Sequence, residues 1–260
     1  MAKELEGHAA LAGHAVLAGR VAIVTGSALN IGRQTCLKLA ELGAAVVTHA
    51  KENKEGVEET AALIIAAGGR AATYVGDLSE PEGARALIKT AVERFDGLHI
   101  LVNNAAMRRN TSLADTSFED WKALVSTNLD VPFLCTQAAV PHMVASGWGR
   151  IVMLGGLSAY RGVKDRVHVA TTKAGLTGMT RALAAEFAEA GITANCVVPG
   201  SIDTVRGAAA GAAPHGGHPN LLGREGMPEE VAHIITSLCH PDAAYTTGQT
   251  IHVNGGAYLA

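Results

Sequence analysis

Seven short apolar runs, at residues 21–24, 45–47, 72–75, 100–102, 151–154, 196–198 and 251–253, constrain this chain more than any other feature. Each is bounded by turn-forming residues, the pattern of a buried strand. The stretches between them are helical in character: Leu87, Ile88, Ala91, Val92 and Phe95 recur on one helical face. Strands that alternate with helices pair in parallel, because parallel neighbours need crossover connections. The expectation is an α/β fold with one doubly wound, seven-stranded parallel sheet in a single domain over residues 19–260. Residues 1–18 read as an arm that orders only against a neighbour. Residues 201–226, rich in Gly, Ala, Pro and His and without a clear period, read as a mobile lid over the substrate.

Composition narrows the partners. A net charge of -3 offers no pull towards nucleic acid or membrane, so a small-molecule substrate is expected. The four cysteines, Cys36, Cys135, Cys196 and Cys239, are scattered, as free thiols of a reducing compartment are. No apolar run reaches the roughly 20 residues of a membrane span, and the N-terminus lacks the regions of a signal peptide. The expected location is the cytoplasm.

The first run leads into Thr25-Gly26-Ser27-Ala28-Leu29-Asn30-Ile31-Gly32-Arg33 and then into a helix. Such a turn presents backbone N–H groups and the positive helix end to a pyrophosphate. A sharp turn with no ligand is the plainer reading. The second strand ends Thr48-His49-Ala50-Lys51, with no carboxylate before Glu52. An acid there would accept from a ribose 2′-OH and repel a 2′-phosphate, whereas Lys51 suits the phosphate. The reading is NADP(H); a solvated helix start carrying Lys51 and Lys54 is the alternative.

This turn resembles the TGxxxGxG signature of the short-chain dehydrogenases/reductases, with Gly26 and Gly32 in place and Asn30 at the middle glycine. Asparagine tolerates positive φ, so the turn survives the exchange. The likeness continues through Asp77-Leu78, the Asn103-Asn104-Ala105-Ala106 segment, Asn128, Lys173 and Pro199-Gly200-Ser201-Ile202-Asp203-Thr204. It implies a Rossmann-type domain and a cofactor site of Gly26, Ser27, Asn30, Ile31, Gly32, Lys51, Asp77, Leu78, Asn104, Ala105, Lys173, Pro199, Gly200, Ile202 and Thr204. It also implies a homo-oligomer, dimer or tetramer, formed through long helices around 117–145 and 165–189. The segment from Thr247 to Gly256 matches the family's last strand.

One part of the pattern breaks. The family's acid/base tyrosine stands four residues before its lysine, and a serine thirteen before that tyrosine; here those positions hold Val169 and Gly156. Neither donates a proton. The run from Val167 to Lys173 is similar in character to the 2,4-dienoyl-CoA reductases, a branch that also lacks the tyrosine. In some of those enzymes a tyrosine fifteen residues before the lysine is the acid, and Ser158 occupies that place here. The candidate catalytic residues are Asn128, Lys173, His168, Tyr160 and Ser158. His168 has an unperturbed pKa suited to proton transfer, but one residue along a helix turns it by about 100°, and a packed histidine explains it equally. Tyr160 and Ser158 are also explained as ordinary loop residues.

Arg108 and Arg109 follow the fourth strand and suit a carboxylate or phosphate of the substrate; solvated surface arginines are the other reading. His215 and His218 lack the further ligands a zinc site needs and read as loop residues, so no metal is expected. The function expected is an NADP(H)-dependent oxidoreductase with an altered proton route, acting on a small carbonyl, alcohol or conjugated enone or enoyl substrate. Two alternatives stand beside it: a non-redox lyase, dehydratase or isomerase on the same scaffold, and a catalytically silent dinucleotide-binding protein.

Overall fold

A computed structural model of the chain describes residues 15–205 and 220–259. Its strands are β1 (Val21–Val24), β2 (Ala45–Ala50), β3 (Arg70–Val75), β4 (Ile100–Asn103), β5 (Gly149–Leu154), β6 (Ile192–Pro199) and β7 (Thr250–Val253). They form one sheet in the order β3-β2-β1-β4-β5-β6-β7, with every pairing parallel. The expected seven-stranded, doubly wound α/β sheet is the one observed. Chain direction across the sheet reverses between β1 and β4, which opens a crevice at the carboxyl ends of those strands.

The helices are α1 (Asn30–Glu41), α2 (Lys54–Ala66), α3 (Pro81–Phe95), α4 (Phe118–Val125), α5 (Val131–Ser146), α6 (Ser158–Arg161), α7 (Val167–Phe187) and α8 (Pro228–Cys239). Alternation along β1 sorts them into two layers. Val21 and Ile23 join a core with Leu87 of α3, Cys135 of α5 and Leu176 of α7. Ala22 and Val24 face the other way, against Leu39 of α1 and Ile235 of α8. With strand side chains alternating between faces, both sides of the sheet must be apolar, which is why the strands read as unbroken apolar runs.

Three details bear on the site. The long helix expected around 117–145 is two helices, α4 and α5, joined by one π turn at Ser126–Asp130. Leu17, within the expected arm, is fully buried in the second core, and its N–H donates to the Leu42 carbonyl at 2.8 Å. The two described limbs of the expected lid are tied together: Asp203 N–H donates to the Gly226 carbonyl, and Gly226 N–H to that of Ser201. The rest of that segment, with His215 and His218, lies outside the described residues, as do residues 1–14.

Candidate active site

β1 delivers the chain into the glycine-rich turn, and close packing dictates its residues. Gly26 has φ 64° and Asn30 has φ 54°, both left-handed. A Cβ on Gly32 would lie 2.4 Å from the Gly26 carbonyl oxygen, so only glycine lets α1 start this close to the strand. Thr25 Oγ1 accepts from the N–H groups of Asn104 and Ala105, each at 3.0 Å. The Asn104 amide returns two bonds of 2.8 Å, to the carbonyls of Thr25 and Gly26. The turn after β1 and the loop after β4 are thereby fixed to each other.

His49, at the end of β2, closes the other side. Its Nδ1 accepts from Gly26 N–H at 3.2 Å, so Nε2 carries the proton and donates to the Gly76 carbonyl at 3.0 Å. Burial lowers its pKa and favours this neutral form. Together these groups frame a cavity of about 440 Å³, lined among others by Gly26, Asn30, Gly32, Lys51, Ala105 and Thr204. Asn30 reaches across the mouth: its amide donates to the Val205 carbonyl at 2.8 Å and accepts from Val205 N–H at 3.0 Å. Lys51 pairs at the rim with Asp77 at 2.7 Å. That ammonium, with help from Ser79 N–H, holds the Asp77 carboxyl down to about 2. Ser27, Asp77 and Leu78 do not line this cavity; Ser27 is fully buried and binds the His49 backbone.

A second cavity, of about 120 Å³, opens at the ends of β5 and β6 and shares Ile31, Asn104, Ala106 and Arg108 with the first. Ser158, Lys173, Pro199, Gly200 and Ile202 line it, with Gly156 and Val169. Lys173 Nζ donates to the Leu154 carbonyl at 2.6 Å. Burial first, and then the Arg108 charge, push its pKa down to about 8. Gly156 makes room for this side chain, since a Cβ there would lie 3.2 Å from Lys173 Cγ.

The other expected catalytic residues are elsewhere. Tyr160 does not line the cleft; its hydroxyl is 2.8 Å from Thr177 Oγ1 and its ring packs edge-on against His252. His168 is buried beneath the loop after β4, outside the cleft lining, and burial lowers its pKa. Asn128, on the π turn, accepts from Met107 N–H at 2.7 Å and donates to the Met107 carbonyl at 3.0 Å and to Thr172 Oγ1 at 3.3 Å. It thus clamps the loop that carries Arg108. The two adjacent arginines part company: Arg109 pairs with Asp120, and Arg108 lines the cleft.

Sequence reasoning missed Thr25, His49 and Arg166. Arg166 lines the cleft from the start of α7, and its Nε donates to Asn110 Oδ1 at 2.7 Å. Its one signal was its place just ahead of the helix that carries Lys173. Among the described residues no cluster of acids, histidines and cysteines could hold a metal ion, and no helix is long and apolar enough to cross a membrane.

Comparison with known proteins agrees with this geometry. Residues 26–258 match the family described as Enoyl-(Acyl carrier protein) reductase. The (2S)-[(R)-hydroxy(phenyl)methyl]succinyl-CoA dehydrogenase subunit BbsD of Thauera aromatica is 38% identical over 92% of this chain and 96% of its own. A 3-oxoacyl-[acyl-carrier-protein] reductase of Synechocystis is 37% identical over 92% of this chain and 97% of its own. Among solved structures, a short-chain dehydrogenase/reductase variant of Serratia marcescens superposes with a TM-score of 0.85 at 29% identity, covering 94% of this chain and 99% of that one. From the glycine turn to the last strand, the chain belongs to the short-chain dehydrogenase/reductase family of oxidoreductases.

Proposed function

We propose that the protein is an NADP(H)-dependent oxidoreductase acting on a small carbonyl, alcohol or conjugated enone or enoyl substrate, with Lys173 as the proton carrier. The observation that carries this reading is the composition of the cleft. Val169 and Gly156 present no proton there, and Lys173, with a pKa near 8, exchanges one close to neutrality. Arginine and serine side chains do not titrate in that range.

The dinucleotide fits the first cavity. Gly26, Asn30, Ile31 and Gly32 supply the turn and helix start suited to its pyrophosphate, and Asn104, Ala105 and Thr204 line the same space. Lys51 would meet a 2′-phosphate, which competes with Asp77 for its ammonium. When bound, NADPH supplies the hydride. One Lys173 N–H is spent on Leu154, leaving two that could donate to the developing oxyanion. As the carbon gains the hydride, the ammonium gives up one proton to the oxygen and regains one from water. A conjugated substrate needs this donor less urgently, because an enolate spreads its charge.

The test combines binding with turnover. Fluorescence titration should show NADPH binding about tenfold more tightly than NADH, with the preference lost in Lys51→Ala. Enones, enoyl thioesters and ketones are then screened by NADPH oxidation. Lys173→Met should lower kcat by about 100-fold or more. Reduction should also slow as pH rises through about 8, where the ammonium is lost. His168→Gln and Tyr160→Phe should keep kcat within about threefold, since neither side chain lines the cleft. A Lys173→Met enzyme with undiminished kcat removes Lys173 from this role.

A further inference from the structure

We infer that Lys173 is also an amine nucleophile: with a small β-oxo acid in the cleft it forms an iminium and releases carbon dioxide, an activity that needs no dinucleotide. The inference goes beyond the redox reading and uses the same side chain in its neutral form. It begins from where the amine stands. Lys173 reaches from α7 to the end of β5, where Nζ donates to the Leu154 carbonyl at 2.6 Å. Leu154, Gly155 and Gly156 line the cavity of about 120 Å³ together with Lys173, which puts the amine at the cavity wall. A cavity of about 150 Å³ holds a benzene ring, so this space suits a short-chain oxo acid.

The lysine is 6% exposed, and among the described residues no carboxylate pairs with it. Burial, and after it the Arg108 charge from the loop after β4, lower its pKa to about 8, while Cys196 of β6 acts in the other sense. Arg166, at the start of α7, lines the same cavity. Roughly a tenth of the side chain is therefore free amine at pH 7, on the order of a hundred times the share in an ordinary lysine. Lysines desolvated beside another cation serve as imine-forming nucleophiles.

The rest of the lining selects the substrate. Nζ adds to the oxo carbon, the carbinolamine loses water, and an iminium remains. Breaking a C–H bond beside that iminium takes a base, and Lys173 is the one lining side chain that titrates near neutrality. A β-carboxylate needs no base. Its C–C bond breaks, the electron pair moves through the new enamine double bond to the nitrogen, and carbon dioxide leaves. The enamine carbon then takes a proton from water, and hydrolysis frees the ketone and the amine. In sum, one β-oxo acid and one proton give one ketone and one carbon dioxide, with no oxidant or reductant consumed.

The full chain, with no dinucleotide added, is incubated with acetoacetate and sodium cyanoborohydride, and its lysines are mapped by mass spectrometry. Lys173 should carry a reduced isopropyl adduct at about tenfold the level on the exposed Lys89. Without the borohydride, acetone release should exceed the spontaneous rate by about tenfold or more. Because the free amine is the reactant, release should rise as pH rises through about 8, opposite to the course expected for reduction. Lys173→Met and Lys173→Arg, with circular dichroism unchanged, should both return acetone release to the spontaneous rate. Labelling of Lys89 as heavy as that of Lys173, release that survives either substitution, or release that falls as pH rises overturns the inference. The redox reading fails separately: undiminished NADPH oxidation in Lys173→Met removes the proton role and leaves the adduct on the parent chain standing.

Discussion

Val169 and Gly156 line the cleft on either side of Lys173 and bring no titratable side chain to it. Val169 is 4% exposed on the same helix face as Lys173, and Gly156 lies against the lysine stem. A hydroxyl restored at each position would stand beside an ammonium that favours its ionisation. We therefore expect Val169→Tyr with Gly156→Ser to raise reduction of simple ketones by about tenfold or more in NADPH-oxidation assays. The seryl Cβ displaces only the flexible stem of Lys173, so folding should survive. A double variant no faster than the parent would mean that proton supply does not limit ketone turnover. These two positions were legible in the sequence, as were the glycines of the turn, because each depends on spacing along the chain. Arg166 and His49 were not. Arg166 earns its place from a loop 56 residues away, and His49 from Gly26, 23 residues away, separations that no local pattern records.

At the scale of elements, all seven strands were legible, and the starts of β5 and β6 were not. β5 begins at Gly149 and Arg150, and β6 begins four residues before its apolar run. Arg150 hides inside the sheet: it is 2% exposed, stacks on Trp148 at 4.1 Å and donates to the Gly149 carbonyl. A reading based on apolar runs necessarily stops short of such a residue. The helix expected at 117–145 is likewise divided, by the π turn at Ser126–Asp130. π turns of this sort concentrate at functional sites, and this one turns Asn128 inward to bind Met107 and Thr172. Asn128→Ala would strand the half-buried Met107 N–H and carbonyl, at a cost of about 2 kcal/mol. We expect a lower urea midpoint and a lower kcat in the NADPH-oxidation assay. Loss of stability alone would confine Asn128 to scaffolding.

For the whole molecule, two cores on opposite faces of one sheet account for where the thiols are. Cys135 and Cys196 belong to one core, and Cys36 and Cys239 to the other. All four are free and fully buried. Burial pushes Cys36, Cys135 and Cys239 up to about 12, far from the thiolate form that reacts. The native protein should therefore be inert towards Ellman's reagent, and denaturant should release four thiols together. A thiol that reacts in native buffer would reveal local opening of one layer. The fold at this scale was fully legible, since strand number and parallel pairing follow from alternation alone.

The two bonds between Asn30 and Val205 carry a temporal consequence. They make the chain a hoop over the mouth of the larger cavity, and both residues line that cavity. A long ligand lying beneath a hoop comes and goes only while the hoop is parted, so the bonds govern dwell time more than equilibrium. Asn30→Gly keeps the left-handed turn at ease and cuts the hoop. In stopped-flow mixing with NADPH, association and dissociation should both quicken by about tenfold while Kd changes by less than about threefold. Unchanged rates would mean that the dinucleotide travels by a path the hoop does not cross.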